Sequence, residues 1–138
     1  MGTFHPRWYG GQIPPNVSQY AYGSEIDGWL VERKVVSQES VVRVPDSLSY
    51  EEASTLPCAA LTAWSALTLG MAIRSGHTVL TQGTGGVSIF ALQLAKAVGA
   101  FVIATTSSAA KADRLRTLGA DAIVNYKEEP RWGDRVRA

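Results

Sequence analysis

The feature that most constrains the fold is a glycine-rich turn, Gly83-Thr84-Gly85-Gly86, inside the stretch Thr78–Gly99. The apolar run Val79-Leu80 before it is typical of a short buried strand, and Phe101–Ala104 is a second apolar run after it. Between them, apolar residues recur at the spacing of a helix packed on a sheet, namely Val87, Phe90, Ala91, Leu94, Ala95 and Val98. This order predicts a right-handed βαβ unit with parallel strands.

In that setting the glycines indicate a nucleotide site. Gly83 and Gly85 open a dinucleotide fingerprint, in which glycines permit a tight turn and let backbone N–H groups approach a pyrophosphate. The helix that follows points its partial positive end at the phosphates. The third glycine of the fingerprint is replaced by Ser88, and the alternative is a turn that binds nothing. The predicted contacts are Gly83, Thr84, Gly85, Gly86, Val87 and Ser88.

The chain continues with a second helix and a third strand. The polar run Thr106-Ser107-Ser108 can end the second strand and cap a helix over Ala109–Leu118, and Ala122–Asn125 is a further strand. Three parallel strands make half of a doubly wound α/β sheet, which commonly has six. A second half would normally cover its edge and faces.

The residues before the turn carry weaker signals. Met1–Gly28 has no sustained period and is predicted to be irregular, while Trp29–Val36 and Val41–Val44 are predicted strands. A capping box at Ser49–Glu52 starts a helix, which Pro57 interrupts before a second helix over Ala59–Leu69. At the other end, Tyr126–Ala138 is predicted to be a charged tail with no clear end to the domain.

Composition excludes several classes of protein. The 138 residues carry a net charge of +1, which argues against a nucleic-acid partner. A single cysteine rules out a disulfide framework within the chain. No apolar run reaches the roughly 20 residues of a membrane span, and Met1–Gly11 lacks the apolar core of a signal peptide, so we expect no membrane partner and a cytoplasmic location. No Asp or Glu occurs between Glu52 and Asp113, so this segment brings no carboxylate to repel an anion.

Three segments together resemble the medium-chain dehydrogenase/reductase superfamily, in its zinc-type alcohol dehydrogenase-like and quinone oxidoreductase branches. They are VPDSLSYEEASTLPCAALTAWSAL, GHTVLTQGTGGVSIFALQLAKAVGA and KADRLRTLGADAIVNY, which cover most of Val41–Tyr126. The resemblance implies an internal fragment or truncated gene product of an α/β enzyme. Residues 1–58 would be a remnant of the GroES-like β catalytic domain, and residues 59–138 the first half (βαβαβ) of the Rossmann domain.

The end of the second strand bears on cofactor choice. An NAD site places an Asp or Glu there, about 20 residues beyond the turn, whereas this chain has Thr105–Ser108. Hydroxyls and the cation Lys111 suit the 2′-phosphate of NADPH, so NADPH is favoured over NADH. The resemblance places Ser107, Lys111 and Tyr126 around that phosphate and Thr62 at the nicotinamide end. The alternatives are a helix cap, a solvated lysine, a packed tyrosine and a threonine bonded back to its own helix.

Zinc is not predicted, although one cysteine suggests it. In zinc-dependent members of the family, a cysteine placed like Cys58 is a ligand of the catalytic metal, which needs three protein ligands. His5 and His77 do not lie at the family's ligand positions and have no triad partners, so both are predicted to be structural or solvated. Cys58 is therefore predicted to be a small buried thiol. No catalytic acid or base is assigned, since the nicotinamide itself carries the hydride.

The predicted function is that of an NADPH-dependent, zinc-independent oxidoreductase. It would move hydride between nicotinamide and a carbonyl, alcohol or activated alkene of a small molecule. The resemblance implies that the full-length form can be a homodimer, and that this chain alone is inactive because main walls of the substrate pocket are missing. The alternatives are a non-catalytic nucleotide-binding module and a truncated fragment without function.

Overall fold

The computed structural model describes residues 10–137, and the chain divides into two compact units, Met1–Pro57 and Cys58–Ala138. The prediction for His5 lies outside the described residues. That the first unit derives from a catalytic domain and the second from a cofactor domain stays a prediction.

The second unit is built on a parallel sheet. Its strands are β1 (Thr78–Thr81), β2 (Phe101–Thr106) and β3 (Ala122–Asn125), in the order β1-β2-β3. The register pairs Thr78 with Phe101 and Ile103 with Ala122. The predicted α/β arrangement of three parallel strands is thereby confirmed, and β2 ends at Thr106, the first residue of the polar run that was predicted to end it.

Helices connect the strands and build the core. Helix α3 (Gly86–Ala97) packs against β1 and β2, and α4 (Ala109–Thr117) packs against β2 and β3. Both end before a glycine with positive φ, Gly99 at +80° and Gly119 at +97°, as the pattern predicts. The side chains that the helices bury against the sheet form one cluster: Leu92, Ala95, Ala100, Val102, Ala104 and Leu115.

The helical segments before the sheet follow the predicted punctuation. Helix α1 (Tyr50–Ser54) begins with the predicted capping box, in which Ser49 Oγ accepts from Glu52 N at 3.1 Å and Glu52 Oε2 accepts from Ser49 N at 2.9 Å. A π-helical turn over Leu56–Ala60 contains Pro57 and leads into α2 (Leu61–Thr68), which packs against α3. Proline removes a backbone donor, so the regular hydrogen-bond ladder breaks there.

The two strands predicted in the first unit do not form. Within its described residues the unit has short 3₁₀ turns at Val17–Tyr20 and Gln38–Ser40, α1 and no strand. Leu30 and Val35 are fully exposed. A strand is stable when its backbone is paired and one face is covered, and these segments have no neighbouring strand in the described part of their unit.

The end of the chain is more regular than predicted. Helix α5 (Trp132–Arg137) lies where a charged tail was expected. Arg131 forms an ion pair with Asp134, and Arg135 with Glu129. The Arg131–Asp134 pair, three residues apart, supports a short helix that has no apolar stripe, and an apolar stripe is the signal that periodicity detects. Among the described residues no helix is long and apolar enough to cross a membrane.

Candidate nucleotide-binding site

The glycine turn joins the carboxyl end of β1 to the first turn of α3. Gly83 has a φ of +79°, a left-handed conformation that side chains with a Cβ rarely adopt. Its N–H donates to Thr105 Oγ1 at 3.0 Å, and the carbonyl of the preceding residue, Gln82, accepts from Ser88 Oγ at 2.9 Å. The turn is therefore tied both to β2 and to α3.

Gly85 is the N-cap residue of α3, and the fold gives no reason for a glycine there. Its φ of −78° and ψ of 172° suit any residue, and a Cβ added to it would meet no atom within 4 Å. A serine or aspartate at this position would cap the helix, whereas Gly85 makes no side-chain cap. The N–H groups at the start of α3 are therefore left without a side-chain cap, and the space beside them is open to a ligand.

Gly86 has a packing role of its own. A Cβ on Gly86 would lie 3.2 Å from the Cβ of Ala59, in the π-helical turn before α2. Glycine thus lets the start of α3 approach that helical turn closely, whereas the third glycine of the fingerprint serves close packing of the helix on a strand. Thr62 follows Ala59 by three residues and is exposed on α2.

Most hydroxyls at the end of β2 are already engaged. Thr105 and Thr106 are buried, the first bonded to Gly83 N and the second to the backbone of Ser108. Ser108 Oγ caps α4 by accepting from Lys111 N at 3.4 Å. Of the four hydroxyls predicted to suit a phosphate, that of the half-buried Ser107 is the one without such a bond to another described residue.

Tyr126 and Ser107 directly follow the last residues of the two paired strands β3 and β2. Thr106 pairs with Asn125 in the register, and Tyr126 N donates to Thr106 O at 3.1 Å. Ser107 and Tyr126 are thus the next residues at the carboxyl ends of β2 and β3. Tyr126 is 42% exposed.

Lys111 adds a cation to this edge. It is exposed in the first turn of α4, where no acidic residue accompanies it, and its ammonium has no ion pair within residues 10–137. A cation at the positive end of a helix is unfavourable, and a bound anion would relieve it. Because parallel strands end together, the predicted contacts in the turn and those after β2 and β3 all lie at one edge of the sheet.

Two other sequence predictions have different outcomes. Cys58 is exposed, so the prediction of a buried thiol is wrong: the residue lies in the π-helical turn, where its neighbours Pro57 and Ala59 are only half-buried. His77 has a structural role, because its Nδ1 accepts from Arg74 N at 3.3 Å and its carbonyl accepts from Phe101 N at 2.8 Å. Over the described residues, no three His, Cys, Asp or Glu side chains cluster as metal ligands would.

Two buried threonines have roles that the sequence did not predict: Thr105 was expected near the phosphate, and Thr81 was not singled out. Thr105 anchors the turn, and Thr81, at the end of β1, has a buried hydroxyl without a hydrogen-bond partner among the described residues. Their positions at the carboxyl ends of adjacent strands were readable, but a threonine in a strand is ordinarily there for its β-branched shape.

The comparisons with known proteins agree with this geometry. Residues 86–138 match the family model described as zinc-binding dehydrogenase. A zinc-type alcohol dehydrogenase-like protein of Schizosaccharomyces pombe is 45% identical over 94% of this chain, which covers 38% of that protein. A proposed alcohol dehydrogenase of Sinorhizobium meliloti superimposes with a TM-score of 0.90 at 47% identity, over 98% of this chain and 40% of that structure.

Two further similar structures are described with a cofactor, and the cofactor differs between them. One is described as an NAD-dependent alcohol dehydrogenase, with a TM-score of 0.78 and 39% identity over 85% of this chain and 34% of its own. The other is a mycobacterial protein in complex with NADPH, with a TM-score of 0.63 and 35% identity over 69% of this chain and 30% of its own. The chain spans about two fifths of the length of the Schizosaccharomyces pombe and Sinorhizobium meliloti proteins, and over that span it is similar to zinc-type alcohol dehydrogenase-like proteins and quinone oxidoreductases.

Proposed function

We propose that the chain carries the dinucleotide-binding half of an NADPH-dependent oxidoreductase. The complete site would move hydride between the nicotinamide and a carbonyl, alcohol or activated alkene of a small molecule. The observation that carries the proposal is the bare N-cap at Gly85. A glycine that neither backbone conformation nor packing requires leaves the start of α3 uncapped, which is what an approaching pyrophosphate needs.

The choice of NADPH over NADH rests on the residues after β2. An NAD site holds the ribose 2′-hydroxyl with a carboxylate, and the position after β2 is Ser107. Ser107 and Lys111, a cation without an ion pair among residues 10–137, can donate hydrogen bonds to a 2′-phosphate, and the exposed Tyr126 lies at the same edge. The 35% identical NADPH complex supports this choice, while the 39% identical NAD-dependent enzyme makes NADH the alternative.

The chain's own part in the chemistry is binding and orientation. The nicotinamide supplies the hydride chemistry when the cofactor is bound. The uncapped amides of α3 would hold the pyrophosphate, and Thr62 on α2 would contact the nicotinamide end. We assign no catalytic acid or base, and we propose zinc-independent chemistry, because a catalytic zinc needs three protein ligands and the described residues contain no group of three His, Cys, Asp or Glu side chains that could hold one.

The test is a calorimetric titration of the purified chain with NADPH and with NADH. We expect both to bind and NADPH to bind more tightly. Lys111→Ala should weaken NADPH by about tenfold and leave NADH unchanged, because only NADPH carries the 2′-phosphate. Arg114→Ala, which removes an exposed cation three residues along α4, is the matched control and should change neither affinity.

The outcomes separate the alternatives. A preference for NADH, or equal losses in both variants, would contradict the 2′-phosphate site and leave the pyrophosphate site standing. Tight binding without turnover of any quinone, enone or aldehyde would favour a non-catalytic nucleotide-binding module. Failure of both dinucleotides to bind, with a broad and non-cooperative thermal transition, would favour a fragment without function.

A further inference from the structure

One peptide group at the base of the glycine turn is held by a side-chain hydroxyl at each end. The carbonyl oxygen of Gln82 accepts from Ser88 Oγ at 2.9 Å, and the N–H of Gly83, which belongs to the same peptide, donates to Thr105 Oγ1 at 3.0 Å. The two hydroxyls come from different elements, the first turn of α3 and the end of β2.

We propose that Ser88 and Thr105 are positioning residues that fix the orientation of the Gln82–Gly83 peptide and so keep the turn in its dinucleotide-binding form. The proposal rests on the dinucleotide site proposed above, and it adds how that site is preorganised. Neither hydroxyl needs to touch the cofactor.

The turn needs such a restraint because sterics provide none. Gly83 has a φ of +79°, and a Cβ at this position would meet no atom within 4 Å. Glycine reaches many backbone conformations at similar energy, so the adjoining peptide is free to rotate. Rotation would exchange its N–H and carbonyl directions and change the path of the chain into Thr84 and Gly85. Two hydrogen bonds to one peptide hold it, and the ordering is then complete before a ligand arrives.

This also gives Ser88 a role of its own. Ser88 occupies the place of the fingerprint's third glycine, which lacks a hydroxyl and could not bond to Gln82. A different close contact of α3 depends on Gly86, whose added Cβ would lie 3.2 Å from that of Ala59 in the π-helical turn. The departure from the fingerprint therefore exchanges a packing glycine for a hydrogen-bond donor.

The chain offers a matched control for Thr105. Thr81 and Thr105 end adjacent strands and are both buried, with 5% and 2% of their surface exposed. The Thr105 hydroxyl bonds to Gly83 N, whereas the Thr81 hydroxyl has no partner in the described part of the chain. Thr→Val at either position keeps the shape of the side chain and removes the hydroxyl. Thr105→Val therefore loses the hydrogen bond to Gly83 N, whereas Thr81→Val loses no hydrogen bond to a described residue.

The experiment has two readouts on the full chain, each taken well below the melting temperature. Amide hydrogen exchange followed by NMR, without dinucleotide, reports the Gly83 N–H directly. Calorimetry reports the affinities for NADPH and NADH. We expect Thr105→Val to abolish protection of the Gly83 amide. Thr105→Val and Ser88→Ala should each lower the affinities for NADPH and NADH by about threefold to tenfold. The loss should be the same for the two dinucleotides, because both carry the pyrophosphate.

Three controls distinguish positioning from a loss of folding. Thr81→Val should match the wild type in both readouts. Ser88→Thr and Thr105→Ser keep the hydroxyls and should restore affinity. The double variant Ser88→Ala/Thr105→Val should bind about as weakly as the worse single variant, because both substitutions release the same peptide.

Failure of the positioning role and failure of the proposed function look different. If the wild type binds dinucleotide and Ser88→Ala and Thr105→Val bind it as tightly as the wild type does, the positioning role is overturned and the dinucleotide site stands. The same holds if the Gly83 amide of a wild type that binds dinucleotide exchanges freely. If the wild type binds neither dinucleotide, the proposed function is overturned and the binding role of the two hydroxyls with it.

Discussion

Lys96 in α3 and Asp121, the residue before β3, form an ion pair at the amino-terminal end of the sheet, opposite the glycine turn. The ammonium of Lys96 lies 2.8 Å from each carboxylate oxygen of Asp121 and 3.1 Å from the carbonyl oxygen of Ala100. Asp121 Oδ2 also accepts from the Val102 N–H at 2.6 Å. One carboxylate thus ties the last turn of α3, the start of β2 and the segment before β3, with about 30% of each side chain exposed.

Removing this carboxylate should destabilise the fold. Asp121→Ala leaves the Val102 N–H and the Lys96 ammonium without their partner, and we expect the free energy of unfolding to fall by about 2 kcal/mol. Urea denaturation monitored by circular dichroism measures the change. Asp113→Ala removes the ion pair between Asp113, whose side chain is 77% exposed, and Arg116, whose side chain is 63% exposed. This should lower the free energy of unfolding by less than about 0.5 kcal/mol. Equal effects of the two variants would contradict this account.

The same contact should make stability depend on pH in the acid range. The hydrogen bond from Lys96, and then that from the Val102 N–H, lower the pKa of Asp121 below its usual value. The folded-state pKa is therefore lower than the unfolded one, so this stabilisation is complete above the unfolded pKa of about 3.9 and is lost as the pH falls towards the folded value. The difference in unfolding free energy between wild type and Asp121→Ala, measured by urea denaturation, should shrink over that range. A difference that stays constant below about pH 3 would rule this out.

Cys58 should react as a free surface thiol. Its exposure in the π-helical turn gives a thiol reagent direct access in the folded chain. We expect an aromatic disulfide reagent to titrate one thiol per native chain without denaturant, and Cys58→Ser to titrate none. Reaction only after unfolding would restore the earlier expectation of a buried side chain.

A carboxylate after β2 should reverse the cofactor preference. Ser107→Asp places an acceptor where NAD sites hold the ribose 2′-hydroxyl, and its charge repels a 2′-phosphate. We expect NADPH affinity to fall by about tenfold or more while NADH affinity is kept or improved. Ser108→Asp adds the same charge one residue along and keeps a good N-cap, so a smaller loss is expected there. Equal losses of NADPH affinity in the two variants would mean that net charge alone is responsible.

The sequence predicted the parts of the fold that local patterns encode. The turn, α3 and β3 combine apolar period with glycine punctuation, and each lies where expected. The prediction of a strand at Trp29–Val36 is wrong because a segment with strand propensity forms a strand only beside a partner strand, and the described part of that unit has none. α5 was missed because ion pairs such as Arg131–Asp134 support it without an apolar stripe.

Within the candidate site, residue types were more predictable than their bonds. The run Thr105–Ser108 was expected as a set of hydroxyls open to a phosphate. The structure buries Thr105 and Thr106 and uses Ser108 as a cap, so Ser107 is the member left for a ligand. The bonds of Thr106 and Ser108 are local, whereas Thr105 is engaged by the glycine turn, 22 residues away in the chain, and no local pattern encodes that contact.

Gly85 offers the sharpest separation of stability from function. Gly85→Ser needs no strained backbone, meets no atom within 4 Å and supplies a cap that α3 lacks, so the free energy of unfolding should rise by a few tenths of a kcal/mol. The same side chain would fill the approach to the start of α3, so NADPH and NADH affinities should both fall by about tenfold or more. Gly83→Ser is the control for a glycine that the backbone does require: with φ at +79° it should lose stability, by about 1 kcal/mol. Thermal denaturation and calorimetric titration of the same samples measure both effects. A Gly85→Ser chain that is more stable and binds dinucleotide as well as the wild type would remove the observation on which the proposed function rests.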